Sequence, residues 1–144
     1  MPALPEAERA RLEAAYRATT YRVFAPEGVI DLRIGQASPA LAALLREGDV
    51  GVWAILSACN PRSIQQNEAA NHTSQAQLEV WLSERGYRWL PGANVADAGD
   101  WPAEASCFVL DMPESAALER GVSLLQNAVV TGDCDALPRL LWCR

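Results

Sequence analysis

The chain has 144 residues, half of them hydrophobic, with 18 acids against 12 arginines, no lysine and a net charge of −6. Without lysine there is no Schiff-base chemistry, no lysine-activated nucleophile and no phosphate loop ending in Gly-Lys-Ser/Thr. An acidic balance also disfavours nucleic acid unless the arginines gather on one face.

The length predicts one domain over residues 1–144, with no linker, and no stretch is apolar for long enough to span a membrane. The opening "MPALPEAERARLEAAYRATT" lacks a basic start, an apolar centre and a cleavage site, so a cytoplasmic protein is expected. The same segment predicts a helix from Pro5 to about Thr19. Glu6 and Glu8 complement the positive helix end, and Leu12, Ala15, Tyr16 and Thr19 recur at helical spacing.

"YRVFAPEGVIDLRIG" reads as two strands joined by a Pro-Glu-Gly turn, with Ile30, Leu32 and Ile34 on the buried face. "ASPALAALLREG" is a helix capped by Ser38, with Pro39 in first position and a stop at Gly48. Val50 to Ala58 is nearly all apolar, which predicts a central strand covered on both faces. A helix then ends at Arg85, Tyr87 to Leu90 forms a short strand, and residues 91–106 form a long loop. Cys107–Met112, Ala128–Thr131 and Arg139–Cys143 read as strands, with a helix from Glu114 to Leu125. The order α-ββ-α-β-α-ββ-α-ββ predicts an α+β fold with three to four helices and a mixed, mostly antiparallel sheet.

Between Asn60 and Gln77 the chain carries seven Asn or Gln. Two helix starts compete there: Asn60 with Pro61 next, or Ser74 with Gln77 three residues on. From the earlier start, with a break near Thr73, the apolar stripe of Leu78, Trp81 and Leu82 extends back through Ser74 or Gln75, Asn71, Asn67 and Ile64. An unpartnered buried amide costs about 1–3 kcal/mol, so such groups must meet backbone, water or a ligand. They either brace neighbouring loops or line a polar pocket at the end of the central strand, a common ligand position in α/β sheets.

The candidate binding residues are Asn60, Arg62, Asn67, Asn71, Glu104, Gln126 and Asn127, with Glu104 the only plausible general base. Arg33 is a second candidate for an anion or an acidic partner. The lone histidine, His72, points roughly 100° away from the amide stripe, which leaves no triad or multi-histidine metal site. Cys59, Cys107, Cys134 and Cys143 contain no CxxC pair and read as free thiols. No cofactor or metal is expected.

Several motifs resemble one family: "YRV…IDLRIGQ.S..L..LL", "WAILSACNPRS…N…N", "W.AEAS..VL", "LLQNAVV" and a closing "LLW". This family of small bacterial proteins is known as domain of unknown function 3293. The likeness runs from about Tyr16 to Trp142 and implies a bacterial cytosolic protein without supplying an activity. Its polar motif positions fall on Gln36, Asn60, Pro61, Asn67 or Asn71, Glu104, Gln126 and Asn127. Two departures stand out. The strand ends Ser57-Ala-Cys-Asn60 in place of Thr-Ala-aromatic-Asn, and Ala103 separates Glu104 from Trp101-Pro102.

Two functions compete. In one, the domain binds a polar small molecule in an amide-lined pocket, with Arg62 offering charge. In the other, it is a protein-interaction module (an inhibitor, an antitoxin-like partner or a homodimer) whose amides only brace loops. The 91–106 loop with Trp101 would then be the contact region.

Overall fold

The computed structural model describes residues 3–99 and 101–144. The chain runs α1 (Glu6–Arg17), β1 (Thr19–Ala25), β2 (Gly28–Leu32), α2 (Pro39–Glu47) and β3 (Val52–Leu56). It continues through a 3₁₀ turn (Pro61–Ser63), α3 (Glu68–Glu84), β4 (Trp89–Ala96), β5 (Glu104–Leu110), α4 (Glu114–Ser123), β6 (Ala128–Asp133) and β7 (Arg139–Trp142). This is the α+β order the sequence predicts.

All seven strands join one sheet in the order β2-β1-β4-β5-β3-β6-β7. The sheet departs from the expectation of a mixed one, since every pairing is antiparallel. Consecutive hairpins (β1β2, β4β5, β6β7) supply three of the six pairings, and antiparallel neighbours follow wherever a hairpin is the unit.

β3 lies between β5 and β6 and is buried on both sides. Trp53 and Ile55 enter a core with Tyr21, Val23, Leu32, Leu41, Leu45, Phe108 and Val130, under α2. Ala54 and Leu56 enter a second core with Leu78, Leu82, Val109, Met112 and Val129, under α3 and α4. The alternation of strand side chains thus feeds one apolar run into two layers. Each large side chain fully buried there stabilises the fold by roughly 1.5–3 kcal/mol.

Local chemistry sets the element ends. Ser38 Oγ accepts from the Leu41 N–H at 3.1 Å, Pro39 follows, and Gly48 closes α2. β1 and β2 turn at Pro26-Glu27, pairing Ala25 with Gly28, and Arg22 crosses the hairpin to Asp31 at 2.8 Å.

The predicted 91–106 loop is corrected. β4 runs to Ala96 and β5 starts at Glu104, so only residues 97–103 connect them. Pro91 and Gly92 give the misleading loop signal. Pro91 lies one position past the ladder with β1, which ends at Val23↔Gly92. Gly92 is required because a Cβ there would fall 2.4 Å from the Arg22 carbonyl oxygen.

Both predicted starts of the amide helix are also corrected. Asn60 takes a left-handed conformation (φ 47°, ψ 61°), and Arg62 and Ser63 follow at φ 58° and 59°. The chain therefore turns rather than winding onward, and α3 begins only after Asn67, whose Oδ1 accepts from the Ala70 N–H at 2.7 Å. From there α3 runs unbroken through Thr73 and Ser74.

Candidate functional site

A cleft of about 380 Å³ lies between α1 and one face of the sheet. Leu12, Ala15 and Tyr16 of α1 form its roof, and Ile55, Ala128, Val130 and Leu140 contribute apolar wall. The polar end is built where β3 stops and β5 starts, from Asn60, Ser63, Glu104 and Gln126, joined by Asn94 of β4 and by Trp101. A second cleft, of about 540 Å³, opens beyond Asn60 and is lined by Cys59, Gln66, Asn67, Asn71, Gln75 and Ala105, among others. Asn60 belongs to both.

Asn60 is the hub. Its Nδ2 donates to Glu104 Oε2 at 2.5 Å, and its Oδ1 accepts from the Gln66 N–H and from Asn71 Nδ2, each at 2.9 Å. Its own N–H donates to Asn71 Oδ1 at 2.9 Å, and Gln66 Nε2 reaches the same oxygen at 2.7 Å. The left-handed backbone at Asn60, tolerated by Asn better than by most residues, aims both ends of the amide at partners. One helical turn further, the buried Gln75 accepts from the Ala58 N–H at 3.0 Å and donates to Cys107 Sγ at 3.4 Å. These amides close the strand end and anchor α3 to it.

Glu104 opens β5. In register, Tyr21 of β1 faces Asn94 of β4, and Asn94 faces Glu104, so the three side chains form a row on one face. Both hydrogen bonds to the carboxylate land on Oε2, from Asn60 and from Trp101 Nε1 at 3.2 Å. Oε1 receives none from the described residues. Burial raises the Glu104 pKa above the usual carboxylate range, and the bonds from Asn60 and Trp101 only partly offset it. Tyr16 is likewise raised by burial, a hydrogen bond with Ser63 opposes this, and the Glu104 charge adds to it. The Glu104 charge therefore bears on the Tyr16 phenol.

The other candidates divide. Gln126 reaches the site and donates to the Cys59 carbonyl at 3.1 Å. Asn71 lines the second cleft as part of the Asn60 lock. Asn67 stays exposed as the α3 cap. Asn127 is buried but lies in neither cleft: it donates to Ser63 Oγ at 3.0 Å and accepts from Arg144 at 3.1 Å. Arg62 is exposed, and its backbone N–H meets the Leu125 carbonyl at 2.7 Å.

Arg33 is no anion site. It grips Asp97 with both terminal nitrogens, at 2.9 and 2.5 Å, and holds that carboxylate below its ordinary pKa. Thr20 joins the pair and ties β1 to the rim of the cleft. His72 is exposed, all four cysteines are free thiols, and three of these are buried. Among the described residues no cluster of three His, Cys, Asp or Glu side chains is placed to hold a metal.

Sequence reasoning missed Tyr16 as a cleft residue, and it missed Tyr21 and Asn94. Tyr16 was visible as part of the α1 stripe, but what the stripe covers depends on β1 pairing with β4. Asn94 was hidden within the supposed loop.

The fold and cleft define a single-sheet α+β domain whose strand ends are closed by an amide network around one partly buried carboxyl. The chain belongs to the family described as Protein of unknown function (DUF3293), whose model matches residues 56–129. No curated protein and no solved structure matches it. The matched segment contains Asn60, Asn71, Asn94, Trp101, Glu104 and Gln126, and excludes Tyr16 and Tyr21.

Proposed function

We propose that the protein binds a polar small molecule in the cleft under α1, with Glu104 as the group that recognises it and can exchange a proton with it. The carrying observation is the placement of Glu104: a partly buried carboxyl facing an apolar-walled cleft, hydrogen-bonded by the described residues through one oxygen only. Among the described residues the other acid lining the cleft is Asp97, already neutralised by Arg33. A carboxyl with a raised pKa changes charge nearer neutral pH than an ordinary one, which suits general acid–base work. The amides do both tasks weighed above: Asn60 and Asn71 brace the strand end, and that brace holds Glu104 in position.

The test is a thermal-shift screen against amines, amino acids, nucleosides and sugars. A ligand at a hundred times its Kd raises stability by about 2.7 kcal/mol. Ala15→Trp, which fills the cleft beneath α1, should abolish the shift. Hits that stabilise Ala15→Trp as well as the native chain would remove this reading.

A second reading, the interaction module, draws on a different surface from the one expected. Leu118, Val122 and Leu125 are 36–40 % exposed and recur at helical spacing along and just past α4. We place the protein in the bacterial cytoplasm, a reading supported by the family resemblance and the four free thiols. No helix among the described residues is long and apolar enough to cross a membrane.

A further inference from the structure

The hydrogen-bond inventory of the cleft under α1 is lopsided. Most of its donors are committed inward. Asn60 Nδ2 and Trp101 Nε1 go to Glu104, Tyr21 OH to the Tyr16 carbonyl, Thr19 to the Ala15 carbonyl and Ser57 to the Ala105 carbonyl. Gln126 gives an amide proton to the Cys59 carbonyl. What remains uncommitted among the described residues is the Asn94 Nδ2 amide, the Arg11 guanidinium and two acceptors. Glu104 Oε1 receives no hydrogen bond from the described residues. Neither does Asn94 Oδ1, which is shut off from solvent as well, although its amide lines the cleft.

A buried acceptor is costly unless a donor reaches it. Glu104 and Asn94 are directly opposed across β4 and β5, so their side chains are neighbours on one face. A half-turn about the last side-chain bond of Asn94, which exchanges the two ends of the amide, would present its oxygen to the cleft.

The charge balance points the same way. Among the described residues no arginine lies within ion-pair distance of Glu104, and among the forces on its ionisation no positive charge offsets burial. The aromatic residues Tyr16, Tyr21 and Trp101 line the same space, and aromatic rings attract cations. The net charge of −6 attracts cations from a distance. One lining residue argues otherwise: Arg11 of α1, at the cleft's exposed side.

We infer that the ligand is a small organic cation, an amine, amidine or guanidine on a flat apolar body, whose N–H groups meet Glu104 and Asn94. This rests on the small-molecule reading above and adds the class of ligand.

Three probes of nearly one shape separate the possibilities: benzamidine (cation), benzamide (neutral) and benzoate (anion), titrated into the full chain at pH 7.5 by calorimetry and amide NMR. Benzamidine should bind at least tenfold more tightly than either of the others and shift the amides of Asn94 and Glu104. Glu104→Gln should remove that preference. Should that variant fold poorly, Asn94→Leu, which removes one acceptor and leaves the carboxylate, should weaken benzamidine severalfold. If benzamide or benzoate binds as well as benzamidine, and Ala15→Trp blocks it, the cleft is a ligand site but not a cation site. If benzamidine binds equally to native chain and Glu104→Gln, the assignment of its partner is wrong. If none of the three binds at millimolar concentration, the cation inference falls. If, in addition, no compound of the wider screen stabilises the chain in an Ala15-sensitive way, the pocket reading falls with it.

Discussion

Asn60→Ala removes the hub and leaves three groups to account for. The Gln66 N–H and Asn71 Nδ2 lose an acceptor, and Glu104 Oε2 loses the shorter of its two bonds while keeping that from Trp101. Stranding a buried polar group costs about 1–3 kcal/mol, and the low end applies here because Gln66 and Asn71 are only part-buried. Alanine at φ 47° adds about 1 kcal/mol of left-handed strain that Asn tolerates better. The sum is about 3 kcal/mol, or a fall in Tm of roughly 6–12 °C for a chain of this size. Asn60→Gly keeps the bond losses but sheds the strain, so it should recover about 1 kcal/mol of the deficit. Asn60→Asp keeps both acceptor functions and sets a second carboxylate against Glu104. That like-charge contact raises the pair's pKa, so the penalty should be present at pH 7.5 and fade toward pH 4.5 as a proton is taken up. Urea unfolding followed by tryptophan fluorescence reads all three variants. An Asn60→Ala cost below 1 kcal/mol, or a Gly variant no better than Ala, would refute the account of the lock.

Other outcomes follow from single contacts. Because its folded pKa is raised, Glu104 contributes stability that is complete below its unfolded pKa and lost as pH rises through the folded value. Glu104→Gln keeps an oxygen for Asn60 and Trp101, so its stability relative to the native chain should improve between pH 4.5 and 7.5; an unchanged difference would mean that burial does not perturb the carboxyl. Gly132→Ala would place a Cβ 2.3 Å from the Trp53 ring, which is fully buried and pinned by its Nε1–H to the Asp133 carbonyl. Equilibrium unfolding should show a loss of about 3 kcal/mol from this overpacking, and a loss under 1 kcal/mol would mean the ring is free to shift. A thiol reagent should titrate four cysteines in denaturant, but Cys134 far faster than the others in the native protein, since burial pushes Cys107 to about 12 and Cys143 to about 11.

What the sequence made legible was the chemistry that acts over a few residues. Ser38, Pro39 and Gly48 bound α2 by themselves, and the apolar run around Trp53 announces a strand covered on both sides. Ile30, Leu32 and Ile34 alternate because one face of β2 is buried. Where the decision lay far along the chain, local signals misled. Gly92 looks like a loop breaker, but it is there because the Arg22 backbone of β1 crosses close by. Ending that strand at Leu90 instead of Ala96 hid Asn94, and with it the row Tyr21–Asn94–Glu104. The start of α3 was misjudged for a similar reason. Asn60 and Pro61 do resemble a helix cap, but the bonds from Asn60 to Glu104, Gln66 and Asn71 hold the backbone left-handed and postpone the helix to Asn67. That Asn60, Glu104 and Gln126 share one cleft was anticipated from their positions at element ends, whereas the α1 roof required the strand order.

The pairing of β1 with β4 has a kinetic meaning. Thr20 and Asp97, which touch across that seam, lie 77 positions apart in the chain, and closing so long a loop costs entropy before any contact repays it. The three strands β5, β3 and β6 with their helices draw on residues 52–133, whereas the α1–β1–β2 segment must return to a sheet whose other members come later in sequence. Non-local ladders of this kind slow folding, so the N-terminal segment is the natural last piece to dock. The cleft, whose roof is α1, would then be assembled only in that closing step. Hydrogen exchange should find its lining amides among the last to become protected during refolding.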